Sequence, residues 1–490
     1  LAASPFKTLA SKACSNPSGE IPDRGECLDV LREGNNVPNP DTSPPVTLAQ
    51  ATLYWLKLGF MSFGGPAGQI AIMHQDLVDK KRWISESRFL HALNYCMVLP
   101  GPEAQQLATY IGWLMHRTTG GLIAGTFFVL PSFFILVGLA WVYMAYGSVP
   151  AVAGMLYGFK PAVVAIVLFA AYRIGSRVLK NRVTWSIAAL AFLAVFILKL
   201  PFPFIILGAG LIGYLGGRIT PGHFRIGGGH GDARKESASA WIDDHTPTPA
   251  HALFSRIKFI RVAAAGLAIW GTAMGALFLA FGGNSIFIQI GWFFTKAALL
   301  TFGGAYAVLP YIYQGAVEHY QWLAPHQMID GLALGETTPG PLIMVVTFVG
   351  FVGGWVKAAL GLDALFASAF IASTVATFFT FLPSFIFILL GGPFIETTHG
   401  NLKLTAPLTG ITAAVVGIIV NLALFFAYHV FWPSGMSGPL DVLSVMLAAI
   451  AMVALFRFKA GVIPVILGCG IIGMALNLLT PAIIASGLAF

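Results

Sequence analysis

Charged side chains are scarce in this chain: 10% of its 490 residues are Asp, Glu, Lys or Arg, 57% are apolar, and the mean hydropathy is +0.79. Ordinary soluble domains carry charge on about a quarter of their residues, so the sequence does not divide into such domains. Cysteine is rarer still. Cys14, Cys27, Cys96 and Cys469 are too scattered for a disulfide framework or a zinc site. The long apolar runs lack period-two alternation, which excludes a membrane β-barrel. Walker A, dinucleotide-binding, His-Glu-x-x-His and nucleophile-elbow sequences are also missing, so neither ATP hydrolysis nor enzymatic chemistry is expected, and no cofactor or metal.

The chain does contain long apolar stretches, at 121–146, 151–172, 183–198, 202–217, 262–282, 364–391, 406–428, 438–456 and 461–485. Most reach the roughly 20 residues with which a helix crosses a hydrocarbon core. The fold expected is an all-α polytopic membrane protein. Of its net charge of +8, much lies between Arg173 and Arg261, where twelve basic residues face four acidic ones. By the positive-inside rule this region, including a Gly-, His- and Pro-rich linker at 218–261, is expected in the cytoplasm. The basic residues flank apolar spans rather than forming a soluble patch with interleaved aromatics, so nucleic acid is not an expected partner. Residues 1–46 are polar and rich in Pro, Asn and Ser, as in a disordered tail.

An internal repeat organises the rest. Lys57, Phe63-Gly64-Gly65, Gln75, Trp83 and Pro100-Gly101-Pro102 recur at a constant offset of 239 as Lys296, Phe302-Gly303-Gly304, Gln314, Trp322 and Pro339-Gly340-Pro341. Leu130-Pro131-Ser132-Phe133 returns as Leu382-Pro383-Ser384-Phe385, the offset having grown by 13. The domains expected are the tail, a first membrane repeat at 47–217, the linker, and an extra helix plus second repeat at 262–490. The extra crossing at 262–282 inverts the second copy. Accordingly Lys80-Lys81-Arg82 is replaced by His319-Tyr320-Gln321, as an outside loop permits. The two segments between residues 82 and 117 must enter and leave on one side, with Pro100-Gly101-Pro102 at their turn. Two homologous halves in inverted topology, with broken or re-entrant helices, are a transporter signature.

Gly-Gly and Pro-Gly-Pro interrupt helix within apolar sequence, and broken helices in a membrane are tolerable only where they line protein or a wet cavity. Half-helix N-termini there present N–H groups suited to an anion. Glycine pairs also permit close helix packing, but their repetition with Pro-Gly-Pro at fixed spacing favours a site. Lys57 and Lys296 each stand six residues before Phe-Gly-Gly. A central lysine costs about 2.5–3.5 kcal/mol to insert, so each is expected to pair with an acid or an anion, or else to snorkel. Glu103 and Glu336 flank the two Pro-Gly-Pro breaks and are candidates for a coupling proton, or for capping a half-helix. Gln105 and Gln106 are candidate amide donors to an oxyanion. Asp79 and Glu318 correspond in the repeat but read as solvated loop charges. His223, His230, His245, His251, Asp232, Asp243 and Asp244 lack the spacing of a metal site.

Phe63-Gly64-Gly65-Pro66, the run Leu-Pro-Gly-Pro-Glu-Ala-Gln-Gln-Leu-Ala-Thr-Tyr-Ile-Gly-Trp at 99–113 and Thr-Thr-Pro-Gly-Pro-Leu at 337–342 together resemble the chromate ion transporter family, in its long two-domain form. The resemblance runs from about Thr47 onward. It implies export of chromate from a resistant bacterium through its inner membrane. The second copy departs from the pattern with Ala305 in place of proline. Sulfate or another tetrahedral dianion is the alternative substrate, and a membrane-embedded enzyme a weaker alternative without a visible nucleophile or metal cluster. Partners beyond the anion are the lipid bilayer and, as an open option, further copies in a homo-oligomer.

Overall fold

The computed structural model describes residues 46–220, 224, 240–243, 246, 249, 251–302, 304–397 and 405–485. The tail before residue 46, Gly303, and linker residues His223, His230, Asp232, Asp244 and His245 lie outside these. Among the described residues the fold is helical, with one isolated bridge between Ile84 and Ile242.

The first half begins with α1 (Leu48–Met61), started by a capping box in which the Thr47 hydroxyl accepts from the Gln50 N–H and the Gln50 side chain accepts from the Thr47 N–H. It stops at Phe63-Gly64-Gly65, and α2 (Gly65–His74) restarts behind Gly64 and ends in a π-helical turn, Gln75–Lys80. Next come α3 (Glu86–Cys96), capped by Ser85, and α4 (Glu103–Tyr146), which starts after Pro102 and breaks at His116 and Arg117. Helices α5 (Pro150–Val178), α6 (Arg182–Phe196) and α7 (Phe202–Ile219) complete the half.

After α8 (Arg256–Phe281) the pattern repeats. Helices α9 (Ile286–Leu300), α10 (Ala305–Tyr313, with the π-helical turn Gln314–His319), α11 (Pro325–Thr337) and α12 (Val345–Lys357) match α1 to the first limb of α4. Helices α13 (Leu365–Thr397), α14 (Thr405–Phe431), α15 (Val442–Phe456) and α16 (Val462–Ala485) match the rest. The growth in offset falls at one joint. Where the first copy turns at His116-Arg117, the second has a loop around Ala358 and Gly361 and a short 3-10 turn at Leu362–Ala364.

Among the described residues, seven helices are long and apolar enough to cross a membrane, and four more are shorter and apolar. This is a multi-pass membrane protein. Large side chains such as Phe204 (67% exposed), Leu267 (70%) and Leu279 (86%) cover its outer faces, where lipid is their natural solvent.

Hydrogen bonds at the helix ends fix the topology. His116 Nε2 is 2.8 Å from the Val46 carbonyl, Trp241 N–H donates to Arg82 O, and Ser85 N–H donates to Ile242 O. The start of α1, the end of the π-turn, the start of α3 and the joint in α4 therefore share one end of the molecule, the end where the linker docks. So α1–α2 and α3 with the first limb of α4 are two re-entrant hairpins. In the second copy, Gly353 of α12 lies against Trp322 and Ile286, and the Phe202 N–H donates to the Gln314 side chain. The hairpins α9–α10 and α11–α12 thus enter from the opposite end. The halves are inverted, as charge counting predicts.

The remaining helices form a scaffold of close crossings between copies. Gly154 and Gly158 of α5 meet Gly473 and Cys469 of α16, while Gly410 of α14 meets Ala209 and Gly213 of α7. Small residues at these points let helices approach where no hydrophobic effect drives them together.

Candidate functional site

The four helix breaks meet at the centre. Helix α1 ends at Ser62 and α9 at Thr301, and the carbonyls of such terminal residues lack intrahelical partners. The Gly101 N–H donates to the Thr301 carbonyl and the Gly340 N–H to the Ser62 carbonyl, both at 2.7 Å. Each Pro-Gly-Pro therefore caps the Gly-Gly break of the other copy. Glycine is required at both places: φ is +131° at Gly101 and +102° at Gly340. A Cβ on Gly101 would also collide with Ser384 Oγ and Gln106 Nε2, and one on Gly340 would come within 2.6 Å of Ser132 Cβ. The two Leu-Pro-Ser-Phe serines thus sit against the Pro-Gly-Pro of the opposite copy.

With those carbonyls capped, the N-terminal ends face the centre. Helices α2, α4 and α10 and the turn Leu342–Met344 begin at the breaks, two from each side of the membrane. Their first-turn N–H groups and positive dipole ends form an environment for an anion. The Ser132 and Ser384 hydroxyls are fully buried and have no partner among the described residues. Gln69, Gln105 and Gln106 are fully buried as well, and their amide nitrogens donate to the Gly340 carbonyl, Thr109 Oγ1 and the Pro100 carbonyl. The Gln69 amide nitrogen also donates to the Ser62 carbonyl at 3.4 Å, whereas those of Gln105 and Gln106 each keep a second N–H, and the three side-chain oxygens have no partner among the described residues. Two carboxylates border the centre. Glu103 Oε1 lies 3.9 Å from where a Gly304 Cβ would be, and Glu336 accepts from the Tyr306 hydroxyl. Arg173 and Arg177, one turn apart at the end of α5, act electrostatically on Glu336 and Glu103 respectively.

The family model described as "Chromate transporter" matches residues 49–214 and 288–474, one match in each half. The chain belongs to the chromate transporter family. A chromate transport protein of Cupriavidus metallidurans is 30% identical over 437 residues, covering 88% of this chain and 94% of the relative. One from Pseudomonas aeruginosa is 33% identical over 436 residues, covering 88% and 92%. An uncharacterized transporter of Bacillus subtilis is 30% identical over 146 residues, which is 30% of this chain but 74% of that protein. A chain of that size corresponds to one half here. No solved structure matches.

For this member of the chromate transporter family, the structure gathers some of the residues expected from sequence and disperses others. Gly101, Gly340, their flanking prolines Pro100, Pro102, Pro339 and Pro341, and Gln105 and Gln106 are all at the centre. Gly64, Gly65, Gly304, Phe63 and Phe302 are at the breaks, Phe63 being 38% exposed and Phe302 half-buried. Lys57 and Lys296 do not join them. Helix α1 buries Ala51, Tyr54, Trp55, Leu58 and Gly59, so residue 57 turns outward with Leu53 and Phe60. Lys296 is half-buried beside exposed Trp292, its ammonium 5.9 Å from the ring. Asp79 and Glu318 are exposed on the π-helical turns at opposite ends. Sequence reading passed over Ser132, Ser384 and Gln69 as site residues, although the serines stood in the repeat. It also passed over Lys160, in the middle of an apolar run.

The copies differ in how they meet the scaffold. Every residue of α10 from Ala305 to Tyr313 is buried, and α10 and α11 pack on α5, α7, α14 and α16. Their counterparts α2 and α3 have no comparable packing across the symmetric interface among the described residues. Gly64, Ala67, Ala71 and Gln75 instead form an exposed small and polar face along α2. The result is an exposed face on α2 running from the break to the linker end, and close packing of α10 and α11 on the scaffold at the opposite end.

Proposed function

We propose that this protein is a secondary transporter that exports chromate across the cytoplasmic membrane and so confers chromate resistance. The observation that carries the reading is the convergence of four half-helix N-termini on one buried point, in a chain of this family. Lys80, Arg82, Arg173, Arg177, Arg218 and Arg457 all belong to the linker end, against Lys199 and Lys357 at the other, so the linker end is cytoplasmic. We read the exposed small and polar face of α2 as the wall of a cleft open to that side, with α10 and α11 as the seal at the other, and this arrangement as the loading state.

The anion enters past Arg177 and Arg173 and exchanges its water for first-turn N–H groups behind Gly64-Gly65, behind Gly304 and at the two Pro-Gly-Pro breaks, the Ser132 and Ser384 hydroxyls and the spare amide N–H groups of Gln105 and Gln106. A carboxylate beside a dianion is repelled, so Glu103 or Glu336 takes up a coupling proton as the anion binds. The hairpins then close against the scaffold at the cytoplasmic end and part from it at the other. A dianion leaving an inside-negative cell gains about 2.3 kcal/mol per charge per 100 mV, twice over, so export runs downhill.

Chromate flux in proteoliposomes, with the membrane potential and the pH gradient imposed separately, tests this. Flux driven by an inside-negative potential out of the linker side is expected. Absence of chromate flux under either gradient sinks the proposal. Because N–H groups and hydroxyls read charge and shape rather than the central atom, sulfate is the second reading, and it is favoured if sulfate both crosses and competes at lower concentration than chromate.

A further inference from the structure

Asp330, which is buried, and Lys160, which is partly buried, form a pair that no step above uses. Asp330 is 2% exposed and lies six residues into α11, too far along to cap that helix. Lys160 lies eleven residues into the 29 of α5, well inside the membrane. The pair bridges α11 and α5, which is the sealed interface. Its geometry is loose for a structural ion pair: Lys160 Nζ is 3.9 Å from Asp330 Oδ2, the Tyr143 hydroxyl donates to the same oxygen at 3.1 Å, and Oδ1 has no partner among the described residues. A buried pair held for structure has short bonds and satisfies both oxygens. One open carboxylate oxygen in a membrane interior is instead a place for a proton.

The repeat sharpens the point. At the offset of 239, Asp330 corresponds to His91, and Gly158-Phe159-Lys160 aligns with Gly410-Ile411-Thr412 at the offset of 252. The other interface therefore cannot form this ion pair. The two gates are chemically different, and the acid-base pair is in the one that is shut.

We propose that Asp330 is a proton-binding site that controls the sealed gate. While ionised, it attracts Lys160 and holds α11 against α5. A proton taken from water at the sealed end onto Oδ1 leaves a neutral carboxyl and an unpaired Lys160 ammonium. The attraction is lost, the hairpin parts from the scaffold, and the ammonium faces the outgoing anion. The ionisable groups acting on the Asp330 carboxyl are Lys160 from α5 and Tyr143 from α4. His326, one turn nearer the surface on α11, interacts with Lys160. Helices α12, α14 and α16 bring no further ionisable group to it among the described residues. The sign is fixed by the chemistry: acidification on the sealed side opens the gate.

The proposal rests on the alternating-access reading, so its test has a readout that needs no chromate. In a variant without native cysteines, Ala307→Cys on buried α10 is probed with an impermeant thiol reagent from the sealed side while the pH there is varied. Labelling is expected to rise on acidification, by up to about tenfold per pH unit. Asp330→Asn, which keeps the size and the Tyr143 contact, is expected to label fast at every pH, and chromate efflux through it to lose its dependence on sealed-side pH. His326→Gln is expected to keep that dependence. If Asp330→Asn retains the pH response, or His326→Gln abolishes it, the proposal is overturned. Should Asp330→Asn fail to reach the membrane, Lys160→Gln with Asp330→Asn leaves no lone buried charge and carries the same expectation. A wild type that labels as described yet moves no chromate overturns the substrate reading and leaves the gate standing.

Discussion

The Gly101 N–H donates to the Thr301 carbonyl, a residue 200 positions away in the other copy, and the Gly340 N–H repeats the bond to Ser62. The exchange is reciprocal, so neither half can complete its own breaks. It ties the hairpins of both copies into one body, which can shift against the scaffold of α5 to α7 and α14 to α16 without opening the centre. That body is packed on the scaffold through α10 and α11 and has no comparable packing on it through α2 and α3 among the described residues. A rigid unit leaning to one side is what alternating access requires.

Gly101→Ala and Gly340→Ala should each abolish transport and lower stability. Either residue would be held at a positive φ that costs about 1–3 kcal/mol for a side chain, before any collision. The collisions add to this, with Ser384 for one and Ser132 for the other. Gly138→Ala is the control, since nothing lies within 4 Å of its added carbon and a helix prefers alanine. Thermal unfolding in detergent should rank Gly138→Ala at or above the wild type and both others well below. Equal stability for all three would contradict the capping geometry.

Ser132→Ala and Ser384→Ala separate binding from folding. Each removes a buried hydroxyl without a partner, so stability should hold or rise slightly. If the hydroxyls donate to the anion, the KM for chromate should rise by about tenfold per serine, the equivalent of about 1.4 kcal/mol. Unchanged KM with reduced stability would make the serines structural.

Lys57→Gln combined with Lys296→Gln should leave chromate efflux within about threefold of wild type, a change of under 1 kcal/mol. Neither lysine reaches the breaks, and both lie on outward faces beside exposed apolar side chains. Their ammonium groups then serve snorkelling rather than substrate. Complete loss of efflux in the double variant, with normal membrane levels, would return the lysines to the anion path.

The sequence reveals most of this architecture because the decisive residues break local rules. Gly-Gly and Pro-Gly-Pro in apolar helix violate propensity twice at one spacing, and basic residues mark one side. What it hides is tertiary. Nothing in the spacing says that Gly101 bonds Thr301 rather than Ser62, since the exchange of partners appears only when the copies are packed. Lys57 could have been turned outward by helical periodicity, because Ala51, Tyr54, Trp55, Leu58 and Gly59 mark the opposite face. Ser132 was visible as a repeated letter but not as a polar group without a partner. Lys160 and Asp330 escape because the repeat is silent there: Thr412 and His91 occupy the matching positions. A search for symmetry passes over residues that make the halves differ.

Sided labelling tests the asymmetry itself. Ala71 is exposed on α2, along the proposed cleft, whereas Ala307 is 1% exposed where α10 packs on the scaffold. With the native cysteines replaced, Ala71→Cys should react with an impermeant thiol reagent supplied at the linker side, and Ala307→Cys should resist the reagent supplied at the other. Turnover with chromate under a linker-side-negative potential should reverse the ranking, because the body that leaves the scaffold through α10 must cover α2. The two rates should therefore change in opposite directions across any condition that shifts the equilibrium. If both sites become reactive together, the cleft and the seal are open at once. The protein would then be a channel for the anion, and neither the coupling carboxylates nor the gate could convert a gradient into directed export.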